Sequence, residues 1–339
     1  MTTAANRLQT AAELRKLTPG VNFKSILVVT SLFQKNDKNG KPYFEIGTCD
    51  ATGTVDAKIW SDAAWFDRSG GDLTAPARQM AQEEIKNITG MTLGVDGKTA
   101  EFRGSLQFNF TKLTLLNQEN FPPAQYLPRS PIGINELEAR YEQFLTQCRP
   151  EVEQLVRSVL SGEVWIRFRD LPAAMSHHHA YANGLLEHTL SVADCAKSMA
   201  EAFRRSGYDI DVDVVVAGAL LHDLGKTESY KMVSVPEMTL EGAVLDHVAL
   251  GYSRFMNLAE KAGAPDGLKL QLAHILLSHH GLREYGSPVV PATPEALIVS
   301  AADEQDFKVF CWKEAAGDLT EEQPISQWHS ATGRRYWKR

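Results

Sequence analysis

A chain of 339 residues, 43% apolar and 23% charged, has the composition of an ordinary soluble globular protein and the length for two domains. A formal net charge of −7 excludes gripping nucleic acid by the overall field, so any such contact must come from local basic patches. The four cysteines, Cys49, Cys148, Cys195 and Cys311, form no CxxC pair; they read as reduced apolar residues, not as a disulfide or zinc framework. The opening "MTTAANRLQTAAELRKL" lacks the apolar core of a signal peptide, and no later run reaches membrane-spanning length. A cytoplasmic protein with no membrane partner is the expectation.

The first third reads as β structure. "FKSILVVTSLFQKN" and "KPYFEIGTCDATGTVDAKIW" are rich in β-branched and aromatic residues, with turn signals at Asn39-Gly40 and Thr52-Gly53. After a polar stretch around Gly70-Gly71 comes "KNITGMTLGVDGKTAEFRGSLQFNFTKLTLL". There Leu106, Phe108 and Phe110 alternate with Gln107, Asn109 and Thr111, as in a strand with one buried face. Short strands, frequent turns and one intervening segment predict a small Greek-key barrel, an OB-fold. Such barrels bind single strands through stacking aromatics and a basic groove. The candidates are Phe33, Tyr43, Phe44 and Trp60, with Lys35, Lys38, Lys41, Lys58, Arg103 and Lys112.

From Phe121 the composition shifts. "FPPAQYLPRSP" holds four prolines and reads as a stiff linker. Beyond it the periodicity is helical: "NELEARYEQFLTQC" is amphipathic, and "DVDVVVAGALLHDLGK" opens on aspartates suited to a helix N-terminus. In "PATPEALIVSAADEQDFKVF", Thr293 caps and Pro294 takes the first helical position. The expected fold is therefore multidomain α and β. An N-terminal OB-fold barrel (15–125) and a linker (126–134) precede an all-α domain (135–325) and a basic tail (326–339).

"VVVAGALLHDLGK" carries the chemistry. A helix apolar on every side is buried, and a buried imidazole beside a buried carboxylate is costly unless something pairs with both. Other such groups occur on successive apolar helices: His188 in "GLLEHTLSV", His247 in "LDHVALG", His279-His280 in "ILLSHHG" and Asp303 in "LIVSAADEQ". Imidazole and carboxylate without thiolate suit divalent manganese, iron, cobalt, nickel or zinc. A carboxylate between two imidazole sets can bridge two ions, and ions about 3.5–4 Å apart recur in phosphoester hydrolysis.

"HDLGK", preceded by "GLLEHT" and followed by "DH", "SHHG" and an apolar helix carrying Asp, resembles the HD-domain metal-dependent phosphohydrolases. The finer pattern resembles the YhaM-type 3′→5′ exoribonucleases. It is carried by "LPAAMSHHHAYANGLLEHTLSVADCA", "LSHHGLREYGSPVVPATPEALIVSAADEQDFKV", "GRRYWKR" and, in the barrel, "DATGTVDAKIW" and "RGSLQFNFTKL". The resemblance implies one divalent ion on His188, His222, Asp223 and Asp303. A second would sit on His247, His279 and His280, with Asp223 bridging and manganese first among the metals. Asp223 and Lys226 are then the catalytic candidates, Lys226 contacting a substrate phosphate, while His178 and His179 line the cleft and Tyr285 shapes its rim. His274 and His329 read as structural.

The implied activity is hydrolysis of single-stranded RNA, with single-stranded DNA as second candidate, to nucleoside 5′-monophosphates. Two alternatives stay open: a phosphohydrolase of a small nucleotide or cyclic dinucleotide, and a non-catalytic nucleic-acid-binding protein.

Overall fold

The structure, a computed structural model, describes residues 7–70, 76–175, 179–232, 235–317 and 319–339. The chain divides into two compact units, Met1–Arg129 with Met232–Val235, and Ser130–Lys231 with Pro236–Arg339.

The first unit begins with a one-turn helix α1 (Ala11–Leu14). Thr10 and Glu13 close its N-terminus reciprocally, and Ala11 and Leu14 are buried among the barrel residues. Strands β1 (Asn22–Asn36) and β2 (Pro42–Asp50) pair antiparallel. Their turn is held by Asp37 Oδ1, which accepts from the amides of Asn39 and Lys41 at 2.8 Å each, and Gly40 takes a φ of 80°. Then follow β3 (Gly53–Ile59), β4 (Ala64–Asp67), β5 (Arg78–Gln79), a one-turn α2 (Gln82–Ile85), β6 (Thr92–Phe102) and β7 (Ser105–Leu115).

The principal strand order is β3-β2-β1-β6-β7, and β3 closes on β7 in parallel through Ala57↔Phe108 and Lys58↔Asn109. That closed five-stranded Greek key is an OB-fold. Its interior holds Phe23, Leu27, Ile46, Ile59, Leu93 and Leu113, with the Phe23 ring edge-on to Phe108 and Phe110 at 5.8 and 6.0 Å. Phe108 and Phe110 are buried while Thr111 is exposed, which is the alternation expected from the sequence.

The second unit is helical: α3 (Ile134–Thr146), α4 (Pro150–Val159), α5 (Gly162–Asp170), α6 (Gly184–Arg205), α7 (Val212–Leu221) and the single turn α8 (Lys226–Ser229). After the short strands β8 (Tyr230–Met232) and β9 (Pro236–Met238) come α9 (Leu240–Lys261), α10 (Asp266–Ser278) and α11 (Pro294–Gly317). Every residue of α7 from Val214 to Leu221 is buried, because α6, α10, α11 and α4 pack around it. Asp211 caps it, accepting from the amides of Asp213 and Val214. α9 is broken at Asp246, whose φ of 68° and ψ of 152° lie outside the helical region. No helix among the described residues is long and apolar enough to cross a membrane.

Candidate metal centre and nucleic-acid interface

Five histidines converge where α6, α7, α9, α10 and α11 meet. His188 projects from the first turns of α6, and His222 and His279 are the C-terminal caps of α7 and α10, with His280 following. His247 follows the break in α9. His188, His222, Asp223 and His279 are at most 2% exposed.

Each imidazole has its Nδ1 side occupied. His188 Nδ1 bonds Asp306 Oδ2 at 2.7 Å, His222 the carbonyl of Ala219 at 2.7 Å, His279 that of Leu276 at 2.8 Å, and His280 that of Tyr285 at 2.8 Å. In His247, Nδ1 lies 2.8 Å from Asp246 Oδ1. Carbonyls and carboxylates only accept, so these Nδ1 atoms carry protons and the Nε2 atoms are turned to the cluster. Nε2 of His247 and of His279 is buried with no hydrogen-bond partner among the described residues.

Asp223 stands between two sets. Its Oδ2 is 3.4 Å from His188 Nε2 and 3.3 Å from His222 Nε2, while its Oδ1 is 3.4 Å from His247 Nε2 and 3.9 Å from His279 Nε2. Asp303 Oδ1 approaches His188 Nε2 at 3.3 Å and His222 Nε2 at 3.8 Å. Donor atoms of His188, His222 and Asp223 lie close enough to share one ion, as do those of His247, His279 and His280. The donor set, the orphaned Nε2 atoms and the divided carboxylate fit divalent cations that accept imidazole and carboxylate together.

The electrostatics point the same way. Burial opposes charge on Asp223, yet Lys226, His222 and His188 hold its carboxyl well below the ordinary range. Burial likewise opposes protonation of His188, but Asp223, Asp303 and Asp306 overrule it and raise its pKa well above the usual imidazole value. Burial, then the neighbouring His280 and His222, press His279 well below that value. Burial and His247 lower His280. Buried carboxylates here draw in positive charge, while two imidazoles stay neutral. Lys226 Nζ, nearly buried, lies 2.6 Å from Asp223 Oδ2.

A glycine contact sets His247 in place. A Cβ on Gly225 would run into the carbonyl oxygen of His247 and the amide of Gly251; one on Gly251 would come within 2.9 Å of the Gly225 nitrogen. Only bare backbone lets α9 approach the turn after His222-Asp223 this closely.

Other predicted residues fall elsewhere. His179 is buried behind His188: its Nε2 bonds Asp306 Oδ2 at 3.1 Å, and its Nδ1 faces the Tyr181 hydroxyl at 2.7 Å, which donates to Glu187 at 2.9 Å. It is thus corrected from a cleft contact to a support of the cluster. His178 lies outside the described residues. Tyr285 gives its carbonyl to His280 and its exposed ring to the rim of the cavity beside the cluster. His274 accepts from the Ala292 amide at 2.9 Å, a structural bond. Asp306 was not among the predicted residues, although it lies three positions after Asp303 and hence on the same face of α11.

On the barrel, Lys58 Nζ sits 5.4 Å from the Tyr43 ring, 5.7 Å from Trp60 and 5.5 Å from Phe102. Tyr43 and Trp60 lie 5.1 Å apart, and the indole donates to Asn109 at 2.8 Å. Phe33 and Phe102 are largely exposed and, with Lys58, line a groove of about 440 Å³. Phe102, not anticipated, carries the Arg103 guanidinium at 5.2 Å. Phe44 belongs to the other face: strand alternation turns it inward with Ile46, edge-on to Trp65 at 6.0 Å, so it is corrected to barrel packing. Lys35 is ion-paired with Glu45 at 2.5 Å, and Lys112 lies over Phe66, at 5.3 Å from the ring centre. Lys38 and Lys41 are exposed at the β1–β2 turn.

Comparison with known proteins matches residues 185–307 to the HD domain family. The chain is 28% identical over 292 residues to "3'-5' exoribonuclease YhaM" of Bacillus subtilis (strain 168), covering 86% of each chain. It is 28% identical over 285 residues to the protein of that name from Bacillus licheniformis, covering 84% of each. Among solved structures, the second OB-fold domain of replication protein A from Methanococcus maripaludis matches at 12% identity and a TM-score of 0.21, over 32% of this chain and 94% of that one.

Proposed function

From its HD-domain match and its similarity to the YhaM-type exoribonucleases, we propose that the chain is a metal-dependent 3′→5′ exoribonuclease acting on single-stranded RNA. The observation that carries the metal dependence is the set of inward Nε2 atoms around an Asp223 whose two oxygens serve two sides. One ion would be held by His188, His222, Asp223 and Asp303, and a second by His247, His279 and His280, with Asp223 lying between the two sets. Manganese is the first candidate. Bound there, a divalent cation supplies Lewis acidity towards water and a phosphoryl oxygen.

The chain's own groups do the rest. Lys226 keeps an ammonium beside Asp223 and lines the cavity, where it offsets charge gathering on the phosphoryl oxygens. Water adds to phosphorus at the last linkage, the 3′-oxygen of the penultimate nucleotide leaves with a proton, and a nucleoside 5′-monophosphate is released. The aromatic groove around Lys58 holds the upstream strand by stacking and phosphate contact. That groove favours a polymer over a small nucleotide or cyclic dinucleotide as substrate.

The deciding experiment incubates manganese-loaded protein with end-labelled RNA, DNA and small phosphodiesters. Stepwise release of mononucleotides from RNA 3′ ends is expected. Intact RNA alongside hydrolysed small phosphodiesters would move the assignment to a small-nucleotide phosphohydrolase.

A further inference from the structure

The cavity that opens onto Asp223 and Lys226 has a volume of about 550 Å³, and its wall includes Ser330, Ala331, Thr332, Gly333 and Arg334. These residues form the tip of a C-terminal hairpin. The His329 amide donates to the Arg334 carbonyl at 2.8 Å and the Gly333 amide to that of His329 at 2.9 Å, with Gly333 at a φ of 61°. Ser326 and Tyr336 tie the stem, the Ser326 amide donating to the Tyr336 carbonyl and the Tyr336 amide to Ser326 Oγ, both at 2.8 Å.

The hairpin is fastened to α11, the helix that carries Asp303. Tyr336, 7% exposed, reaches the Lys308 carbonyl at 3.3 Å and Thr332 Oγ1 at 3.0 Å through its hydroxyl. Trp312 donates its indole N–H to the Trp337 carbonyl at 3.0 Å. A segment with this many fixed backbone bonds is a wall and not a frayed end.

We propose that this hairpin is the end wall of the cleft, forming with Phe307 a subsite for one terminal nucleoside, so that only a single nucleotide extends past the bond being cut. The volume falls in the range for one small ligand, roughly 300–1,000 Å³. The lining chemistry suits a nucleoside: the Phe307 ring for the base, and the hydroxyls of Ser330 and Thr332 for the ribose. Arg334 spends its Nε on the Thr332 carbonyl, and no ion pair joins it among the described residues. It therefore adds a further cation to a cavity whose other charged lining residues are Asp223, Asp303 and Glu304 with Lys226 and Lys308. This subsite rests on the exoribonuclease assignment and explains its stepwise action by geometry.

The test uses full-length, manganese-loaded protein carrying Tyr336→Ala, which unfastens the hairpin, or Arg334→Ala, which leaves it fastened. Products from linear and circular RNA are sized, with a thermal melt to verify folding. Tyr336→Ala is expected to release di- and trinucleotides beside mononucleotides and to cut circular RNA. Arg334→Ala is expected to raise KM for linear RNA about tenfold, as for loss of one charge-assisted contact, with mononucleotides still the product. A folded Tyr336→Ala protein that releases only mononucleotides and spares circular RNA would overturn the proposal. Should Tyr336→Ala not fold, an unchanged KM in Arg334→Ala overturns it. Wild-type protein that releases no mononucleotides from RNA refutes the exoribonuclease assignment itself and the subsite with it.

Discussion

His188 Nδ1 and Asp306 Oδ2 lie 2.7 Å apart, and this bond determines which imidazole nitrogen faces the histidine–aspartate cluster. Without the carboxylate, the ring can turn or carry its proton on Nε2. Asp306→Ala is expected to lower affinity for manganese about 10–100-fold, the usual effect of losing a carboxylate behind a ligating histidine. Asp306→Asn keeps an acceptor oxygen and should lose less. Calorimetric titration of the purified variants with Mn²⁺ measures both, and equal affinity in Asp306→Ala and wild type would deny the carboxylate this role.

Gly225→Ala should remove His247 from the cluster, since the added methyl falls on the His247 carbonyl and the Gly251 amide. Overpacking costs about 1–3 kcal/mol, so the variant should fold with a lowered Tm while binding one equivalent of metal fewer than wild type. Metal analysis after gel filtration reads the stoichiometry. Unchanged metal content would show that α9 accommodates the methyl without moving His247.

The barrel groove gives a prediction in salt. Lys58→Ala should reduce the slope of log affinity for single-stranded RNA against log salt by about 0.7, and Trp60→Ala should weaken binding by about 1–3 kcal/mol. Phe44→Leu should lower barrel stability and leave RNA affinity nearly unchanged, because that ring packs inward. Fluorescence anisotropy at several salt concentrations separates the three. Full RNA affinity in a Lys58→Ala, Trp60→Ala double variant would place the strand elsewhere.

Asp211 links stability to pH. Burial would raise its pKa, but the Arg149 guanidinium at 2.7 Å and the Val214 and Asp213 amides bring it below the ordinary carboxyl value. A folded-state pKa below the unfolded one, near 3.9, means a contribution present above about pH 4 and lost as pH falls through the folded value. Asp211→Ala should therefore cost about 1 kcal/mol at pH 7, within the usual range for a helix cap, and progressively less below pH 4. Urea melts at the two pH values provide the difference, and an equal cost at both would assign the effect to packing.

Much of the centre was legible because its residues lie at helix ends inside apolar runs, as with His222-Asp223 after Val214–Leu221. The supports were harder to see. The Ala219 and Leu276 carbonyls accept from imidazoles three residues later, a contact made by backbone geometry and not by side-chain identity. His179 lies in a histidine run that looks exposed in sequence, and only its approach to Asp306 on a helix more than a hundred residues away shows where it belongs. Tyr43 and Phe44 illustrate the reverse: adjacent residues on one strand face opposite ways, a distinction that the alternation with Ile46 already contained. The C-terminal hairpin has no periodicity to read, since its form depends on Tyr336 and Trp337 meeting α11.

The proposed ligands come from five helices and all lie in the second compact unit. A cation held by them binds the folded arrangement of that unit and not its unfolded chain, so its binding free energy is added to that unit's folding free energy. Ligand binding confined to the folded state adds about 2.7 kcal/mol at a hundredfold excess over Kd. Calorimetry should then resolve two melting steps that respond differently to a chelator. The helical step should move down by several degrees while the barrel step stays put, so metal supply would govern the lifetime of the helical unit and leave the barrel untouched.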